Sequence, residues 1–408
     1  MEHILRGSLG IVVLLAIAAL LSRNRQAIRW KTVVYGVFLN LLLAFLILNT
    51  LPGQRFFELA GQAIVKIVHF SEEGTRFVFG PLYSGFTQIP HFSGWPYAFV
   101  LQALLPIVFF AALINVFYYL GIMQKIVALL TIFFSRLLGI SSVESLVTAA
   151  NVFLGQSQSP LVVAPYLKQL NDSQLFLTMV GGMATVGSGM VVVYAGMGAQ
   201  IEYVLAASIM AAPAAIIFAK MMEPDDGFDI CGGEAIEPMP RQGFGANVID
   251  AVGLGAMEGW KAVVGVTVML LAFISLIHLL DWVIVFISHQ TLGLKTLLGW
   301  LFTPAAYIIG VPHGDVQQVA QLVGTKTAFN EVVAYSGLKD ASLSPKGFML
   351  ACFALTGFAN FSSIAIQIGC IGELAPSCRG RIAKLGVRAV IAATLANLFS
   401  AAIAGMFF

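Results

Sequence analysis

The sequence predicts an all-α integral membrane protein in which a hairpin and a broken helix occur twice. Three observations carry this prediction. Hydrophobic residues make up 59% of the chain and charged residues 10%, against about 25% charge in ordinary soluble domains. The runs 8–22, 33–51, 98–121, 200–220, 258–288 and 386–408 are long and apolar enough to be read as membrane-crossing helices. Other apolar stretches are interrupted by polar or glycine-rich turns, and these interruptions recur at a similar spacing in the two halves.

The first run could be mistaken for a secretory signal, but its flanks lead us to expect a retained first helix. Only Arg6 precedes it, whereas Arg23, Arg25, Arg29 and Lys31 follow; the positive-inside bias holds that loop in the cytoplasm and sends the N-terminus outward. A second basic cluster, Arg379, Arg381, Lys384 and Arg388, precedes the last run and is cytoplasmic by the same rule. Both termini are therefore expected outside. Between Pro52 and Pro96, Phe57, Leu59, Ile64, Val65, Ile67 and Val68 alternate with Glu58, Gln62, Lys66 and His69. That pattern fits a helix lying in the membrane interface, or one packed on the protein's own outer face.

After the third run, Lys125 and Arg136 mark a return to the cytoplasmic side. Ser141 to Leu167 then contains Glu144, Asn151 and the polar run Gly155-Gln156-Ser157-Gln158-Ser159-Pro160. Polar residues punctuated by Gly and Pro are costly in lipid, so two short helices meeting at a turn inside the membrane are expected, with Glu144 supporting the first N-terminus. Phe176 to Ala199 is apolar but is broken between Gly181 and Gly189. A polar linker over 223–247 follows and is cytoplasmic by span count. The second half repeats the order: a long span to about His289, an apolar stretch, a Gly310-Val311-Pro312 break, a polar turn at Lys326 to Glu331, and a segment broken between Gly357 and Ser363. The spacing from Gln158 to Ser188 nearly equals that from Glu331 to Asn360. The span count makes the two hairpins enter from opposite sides, the inverted arrangement that favours a midplane site.

A net charge of +2 supports neither nucleic-acid binding nor strong anion steering. Cys231, Cys352, Cys370 and Cys378 have no metal-ligand spacing. No His, Cys and carboxylate grouping of a catalytic kind occurs, and no GxxxxGK[ST] loop, which disfavours an intramembrane enzyme and a primary pump. His278 and Asp281 end a span and read as interfacial.

Glu331 is the strongest candidate for function, since a carboxylate near the bilayer centre costs about 2.5 to 3.5 kcal/mol on insertion scales. Its two oxygens suit a vicinal diol such as that of ribose. The plainer alternative is a carboxylate that pins its hairpin by accepting backbone N–H groups or pairing with Lys326. Asn360 and Ser363, at i and i+3, share one helical face and suit the same hydroxyl cluster, with hairpin packing as the plainer alternative. Gln156, Ser157 and Gln158 offer donors and acceptors suited to a nucleobase edge, or to capping the hairpin tip.

GQSQSPLVVAPYL at 155–167, GVP at 310–312, KTAFNEVVAY at 326–335, GFANFSSIAIQIG at 357–369 and EGTRFVFGPL at 73–82 resemble the signatures of the concentrative nucleoside transporter family. The resemblance spans essentially the whole chain. It implies a homotrimer in the bilayer, each protomer with eight transmembrane spans, two opposed re-entrant hairpins and two broken helices in an inverted repeat, and a transport part that moves like an elevator against a scaffold. The corresponding division is 1–122, spans and interfacial helix, mostly scaffold; 123–222, first hairpin, broken helix and span; 223–250, linker; 251–295, long scaffold span; and 296–408, second hairpin, broken helix and last span.

It also implies nucleoside binding by Glu331, Asn360 and Ser363 at the ribose and by Gln156, Ser157 and Gln158 at the base, with Phe358 beside them. Gln158 stands where the family usually has Glu, and Ala164 where an Arg often follows, which leaves base preference open. Asn151 and Thr185, with Leu154 and Val186 carbonyls, match the family's sodium site; Asn151 in hydrogen bonds within its hairpin is the plainer alternative. The expectation is sodium-coupled nucleoside import across an inner membrane with no cofactor beyond the coupling ion. Proton coupling is the runner-up, and a non-transporting gating or structural membrane protein a more distant one.

Overall fold

The structure is a computed structural model that describes residues 2–84, 100–225, 245–289 and 293–408. Among them all regular structure is helical. The first helix described is α1 (Glu2–Leu20), and α2 (Trp30–Ala44) continues through a wider turn at Phe45–Asn49. α3 (Leu51–Phe79) is the amphipathic helix; Thr50 caps its start and Gly80, at φ 51°, ends it. It packs on the protein through Phe57, Gly61, Ser71 and Thr75 and leaves Phe56, Leu59, Val65, Phe70 and Phe77 exposed. It therefore packs on the protein's outer face while presenting an apolar surface of its own.

A single turn, α4 (Pro81–Ser84), follows. α5 (Pro106–Tyr119) turns through 76° at Gly121 into α6 (Ile122–Leu138). Hydropathy alone marks no helix over 122–138; a left-handed glycine at each end isolates this segment from its apolar neighbours.

The first hairpin begins with α7 (Ser142–Leu154), whose start carries a capping box between Ser141 and Glu144. Its second arm is only one turn, α8 (Ser159–Val162), rather than the helix expected. Val163 leaves helical geometry at φ −111° and ψ 12°, and Pro165 has no N–H to extend the ladder, so α8 ends after one turn. The broken helix is α9 (Asp172–Ala184) and α10 (Ser188–Gly196), parted at Thr185-Val186-Gly187, and the span α11 (Ile201–Met222) follows. The linker falls mostly at 226–244, outside the described residues, and Cys231 lies with it.

α12 (Val248–Ile287) is a continuous helix of 40 residues, longer at its start than its hydropathy predicts. Gly255 and Gly259 explain the extension: a Cβ at either would lie 2.7 Å from the α5 backbone, so a small-xxx-small face lets the two helices pack closely. The second half continues with α13 (Leu294–Ile308), the hairpin α14 (Val316–Ala328) and α15 (Glu331–Leu338), the broken helix α16 (Pro345–Leu355) and α17 (Phe361–Leu374), and the span α18 (Arg379–Met406). The order helix, hairpin, broken helix, span thus runs twice, over α6–α11 and α13–α18.

Among the described residues, Trp30–Asn49, Asp172–Gly196, Ile201–Met222, Val248–Ile287 and Pro376–Met406 are long and apolar enough to cross a membrane, and the bent α5–α6 pair adds a sixth candidate. α11 and α18 cross at the centre, with α1 laid along α18 and α2 along α11. One end of this bundle carries both basic clusters. Glu223 bridges Arg23 at 2.8 Å and Arg388 at 2.5 Å, Arg381 binds Asp172 at 2.6 Å, and buried Lys220 joins Glu144 and Asp225. Burial alone would push the Asp225 carboxyl up, but Lys220, Ser173 and Arg29 hold it below its ordinary range. Glu144 therefore serves as capping partner and ion-pair partner at once.

Candidate functional site

The polar residues of the second half sit at helix starts. Asn330 caps α15 by accepting from Val333 N at 2.9 Å, which puts Glu331 in the first turn, where N–H groups lack intrahelical partners. Asn360 caps α17 in the same way, its Oδ1 accepting from Ser363 N at 2.9 Å and Ser363 Oγ at 3.1 Å. Its Nδ2 donates to Glu331 Oε2 at 2.8 Å. Across the molecule, Gln156 Nε2 donates to Ser363 Oγ at 3.0 Å. Glu331, Asn360, Ser363 and Gln156 therefore form one continuous chain of hydrogen bonds that joins both hairpins to the second break, and none is more than 4% exposed.

The remaining predicted ligands stand around this chain. Phe358 is half-buried, with its ring edge 3.8 Å from where a Cβ on Gly155 would be. Ser157 is exposed at the hairpin tip, and Gln158 is half-buried at the start of α8 without capping it. Hence Gln158 is not the tip cap that its position allowed.

The chain is not polar-saturated. Gln156 Oε1 and Gln367 Oε1 are buried without a hydrogen-bond partner; an unmet buried polar group costs about 1 to 3 kcal/mol, so such a pair points to a ligand. Gln367 donates to Met179 O at 2.9 Å and flanks Gly182 together with Gln156. Tyr194 lies beside the Glu331 carboxylate and stacks on Tyr335 at 4.2 Å.

The residues expected at an ion site also converge. Thr185 Oγ1 is shared between Asn151 O at 3.0 Å and Gly181 O at 2.8 Å. Leu154 O faces Gly187, and Val186 is held through its N and O by Ser208 Oγ, each at 3.3 Å. Asn151 Oδ1 accepts from Ser159 Oγ, the bond within the hairpin that was the plainer expectation, while Asn151 Nδ2 is buried without a partner. Neutral oxygens grouped at a helix break suit a monovalent cation.

Profile comparison matches residues 9–82 and 203–405 to the Na+ dependent nucleoside transporter N- and C-terminal regions, and residues 100–201 to a region described as nucleoside recognition. The chain is 41% identical to an uncharacterized transporter of Haemophilus influenzae, across 99% of this chain and 98% of that one. It is 34% identical to the nucleoside permease NupC of Helicobacter pylori, across 98% and 96%. The chain belongs to the concentrative nucleoside transporter family. The solved structure of the transporter CNTnw in an inward-facing substrate-bound state matches it with a TM-score of 0.92 at 38% identity, over 99% of this chain and 98% of that one.

As a concentrative nucleoside transporter the protein is a multi-pass membrane protein and not an enzyme. One pairing considered from the sequence does not form. Lys326 Nζ donates to Ala354 O and Thr356 O, each at 2.9 Å, and to Asn397 Oδ1 at 2.8 Å, so it makes no ion pair with Glu331. The C-terminal carbonyls of α16 compete successfully for the ammonium. Tyr194, Gln367 and Asn397 were missed by the sequence reading. Gln367 had a signal, since 360, 363 and 367 share one helical face.

Proposed function

We propose that this protein imports nucleosides across an inner membrane by sodium symport. The observation that carries the reading is the buried chain Glu331–Asn360–Ser363–Gln156 with unpartnered acceptors beside it. Glu331 accepts the two ribose hydroxyls, Asn360 and Ser363 complete the hydroxyl cluster, and Gln156, Ser157, Gln158 and Phe358 take the base. Sodium binds Asn151 and Thr185 with the Leu154 and Val186 carbonyls. Coupling is short: Asn151 and Gln156 flank the same turn at Gly155, so an ion that orders the first hairpin also orients the base ligand.

In the membrane, α1, α2, α5, α9–α10, α11, α12, α16–α17 and α18 serve as eight spans, and α7–α8 and α14–α15 as opposed re-entrant hairpins. The linker 223–250 is cytoplasmic and both termini are periplasmic. α12 with α5 forms the scaffold, its exposed apolar face building a homotrimer, while the hairpins and broken helices move as the elevator body. Proteoliposomes test this reading. Uridine or adenosine should accumulate only under an inward sodium gradient; equal accumulation under a pH gradient alone would overturn the sodium assignment, and no nucleoside uptake would overturn the whole.

A further inference from the structure

The two repeats present the same local structure to different cations. In the first, Thr185 ends α9, with its N–H donating to Gly181 O at 3.2 Å and its hydroxyl to the same carbonyl at 2.8 Å. In the second, Thr356 ends α16, with its N–H donating to Cys352 O at 3.1 Å and its hydroxyl at 2.7 Å. Both threonines have extended backbone and both open a break. Each break also receives a residue from the last turn of its own hairpin's first helix. In the first repeat that residue is neutral Asn151, whose carbonyl takes the Thr185 hydroxyl. In the second it is Lys326.

Three neutral oxygens, two of them backbone carbonyls at the negative end of a half-helix, surround the Lys326 ammonium at 2.8 to 2.9 Å. That donor set is what a sodium-type ion uses at an unwound helix. Lys326 is 1% exposed, and its three hydrogen bonds all go to neutral oxygens. The two sites are also in contact. Asn397 Nδ2 donates to Ala184 O at 2.7 Å, and a Cβ on Gly357 would lie 2.3 Å from that same carbonyl. Asn397 thus ties the end of α9 to the ammonium bound at the end of α16.

We propose that Lys326 is a tethered cation that fills the ion site of the second repeat, so that a diffusible ion is needed only in the first. A tethered ion cannot dissociate, so the second hairpin stays docked on its broken helix throughout the cycle. Docking of the first hairpin depends instead on ion concentration. The inference rests on the sodium reading of the Asn151 site and deepens it: Lys326 is a positioning residue that sets the number of ions taken up.

The test compares wild type with Lys326→Ala, Lys326→Gln and Lys326→Arg. Thermal unfolding and nucleoside uptake are measured while sodium replaces choline at constant ionic strength, and potassium is tested beside it. Lys326→Ala should acquire a second saturating phase in which sodium or potassium, but not choline, raises the melting temperature, and the sodium dependence of uptake should move from first to second order. Lys326→Arg keeps the charge and should behave as wild type. If Lys326→Ala folds only in sodium, the proposal is upheld. Lys326→Gln retains an uncharged donor one bond shorter; if it is folded and shows only the wild-type phase, the proposal is overturned. A wild type without any sodium phase would remove the reading of the first site, whereas a cation phase gained in Lys326→Ala would still uphold the role given to Lys326.

Discussion

Replacing Glu331 by Gln tests the sugar end of the site with the least disturbance. The amide keeps the volume and retains one oxygen for the Asn360 Nδ2 donor now 2.8 Å from Oε2; what it loses is the charge. A hydrogen bond to a charged acceptor contributes about 1.5 to 3 kcal/mol and a neutral one about 0.5 to 1.5, so two hydroxyls together lose roughly 2 to 3 kcal/mol. Nucleoside binding should therefore weaken roughly 30- to 150-fold. The assay is binding to purified protein in saturating sodium, with uridine and with the dideoxy analogue lacking both ribose hydroxyls. Wild type should prefer uridine strongly, and Glu331→Gln should lose most of that preference while its affinity for the analogue barely changes. If both ligands weaken in parallel, the carboxylate does not meet the diol, and Glu331 acts only by pinning its hairpin to α17.

The other predictions concern the ion site, the base and the break. Asn151→Ala removes an oxygen from the ion site and the acceptor for Ser159, so the sodium concentration for half-maximal uptake should rise about tenfold, the equivalent of one net hydrogen bond of about 1.4 kcal/mol, with maximal uptake retained. Gln158→Glu replaces an amide donor with a charge, and competition among purine and pyrimidine nucleosides should reorder; an unchanged profile would show that this position does not read the base. Gly357→Ala should cost well over the roughly 1 to 2 kcal/mol of a left-handed backbone, because φ is 93° and the new Cβ meets Ala184 O at 2.3 Å. Gly310→Ala is its control: φ is 89° with nothing within 4 Å, so only the backbone cost should appear in the melting temperature.

Legibility in the sequence followed the range of the interactions. The first broken helix was readable because its punctuation is local, with glycines on both sides of Thr185. So was the choice of Glu331, Asn360, Ser363 and Gln156, which the fold brings into one hydrogen-bonded cluster, since each is a polar group in an apolar setting beside a turn. The short α8 was not, because its end rests on the backbone at Val163 and on Pro165, within a pattern that otherwise continues. Neither was the full length of α12, whose early glycines look like breaks until α5 is laid against them. Tyr194 and Asn397 were beyond reach for a different reason. Each is a lone polar residue in an apolar helix, and its meaning comes from a partner far along the chain: Glu331 for Tyr194, and Ala184 and Lys326 for Asn397.

On the proposed sodium and nucleoside sites, the two broken helices also explain how an ion and a neutral solute can share so small a volume. A break exposes the carbonyl end of one half-helix and the N–H end of the next within a few residues, so it offers negative and positive poles without any formal charge. In both repeats the carbonyl ends, at Thr185 and Thr356, face the cation side: Asn151 with its neighbouring carbonyls in one, the Lys326 ammonium in the other. The N–H end of α17 faces the hydroxyl-binding cluster through Asn360, and α15, which starts at Glu331, presents its own N–H end to the same cluster. An intact helix would have placed those poles a whole span apart, at the two membrane surfaces. Breaking it brings the cation pole and the solute pole together at one depth, and the first hairpin, carrying Asn151 and Gln156 on either side of Gly155, touches both. On this geometry the ion need not touch the solute: it fixes the turn that the solute needs already in place.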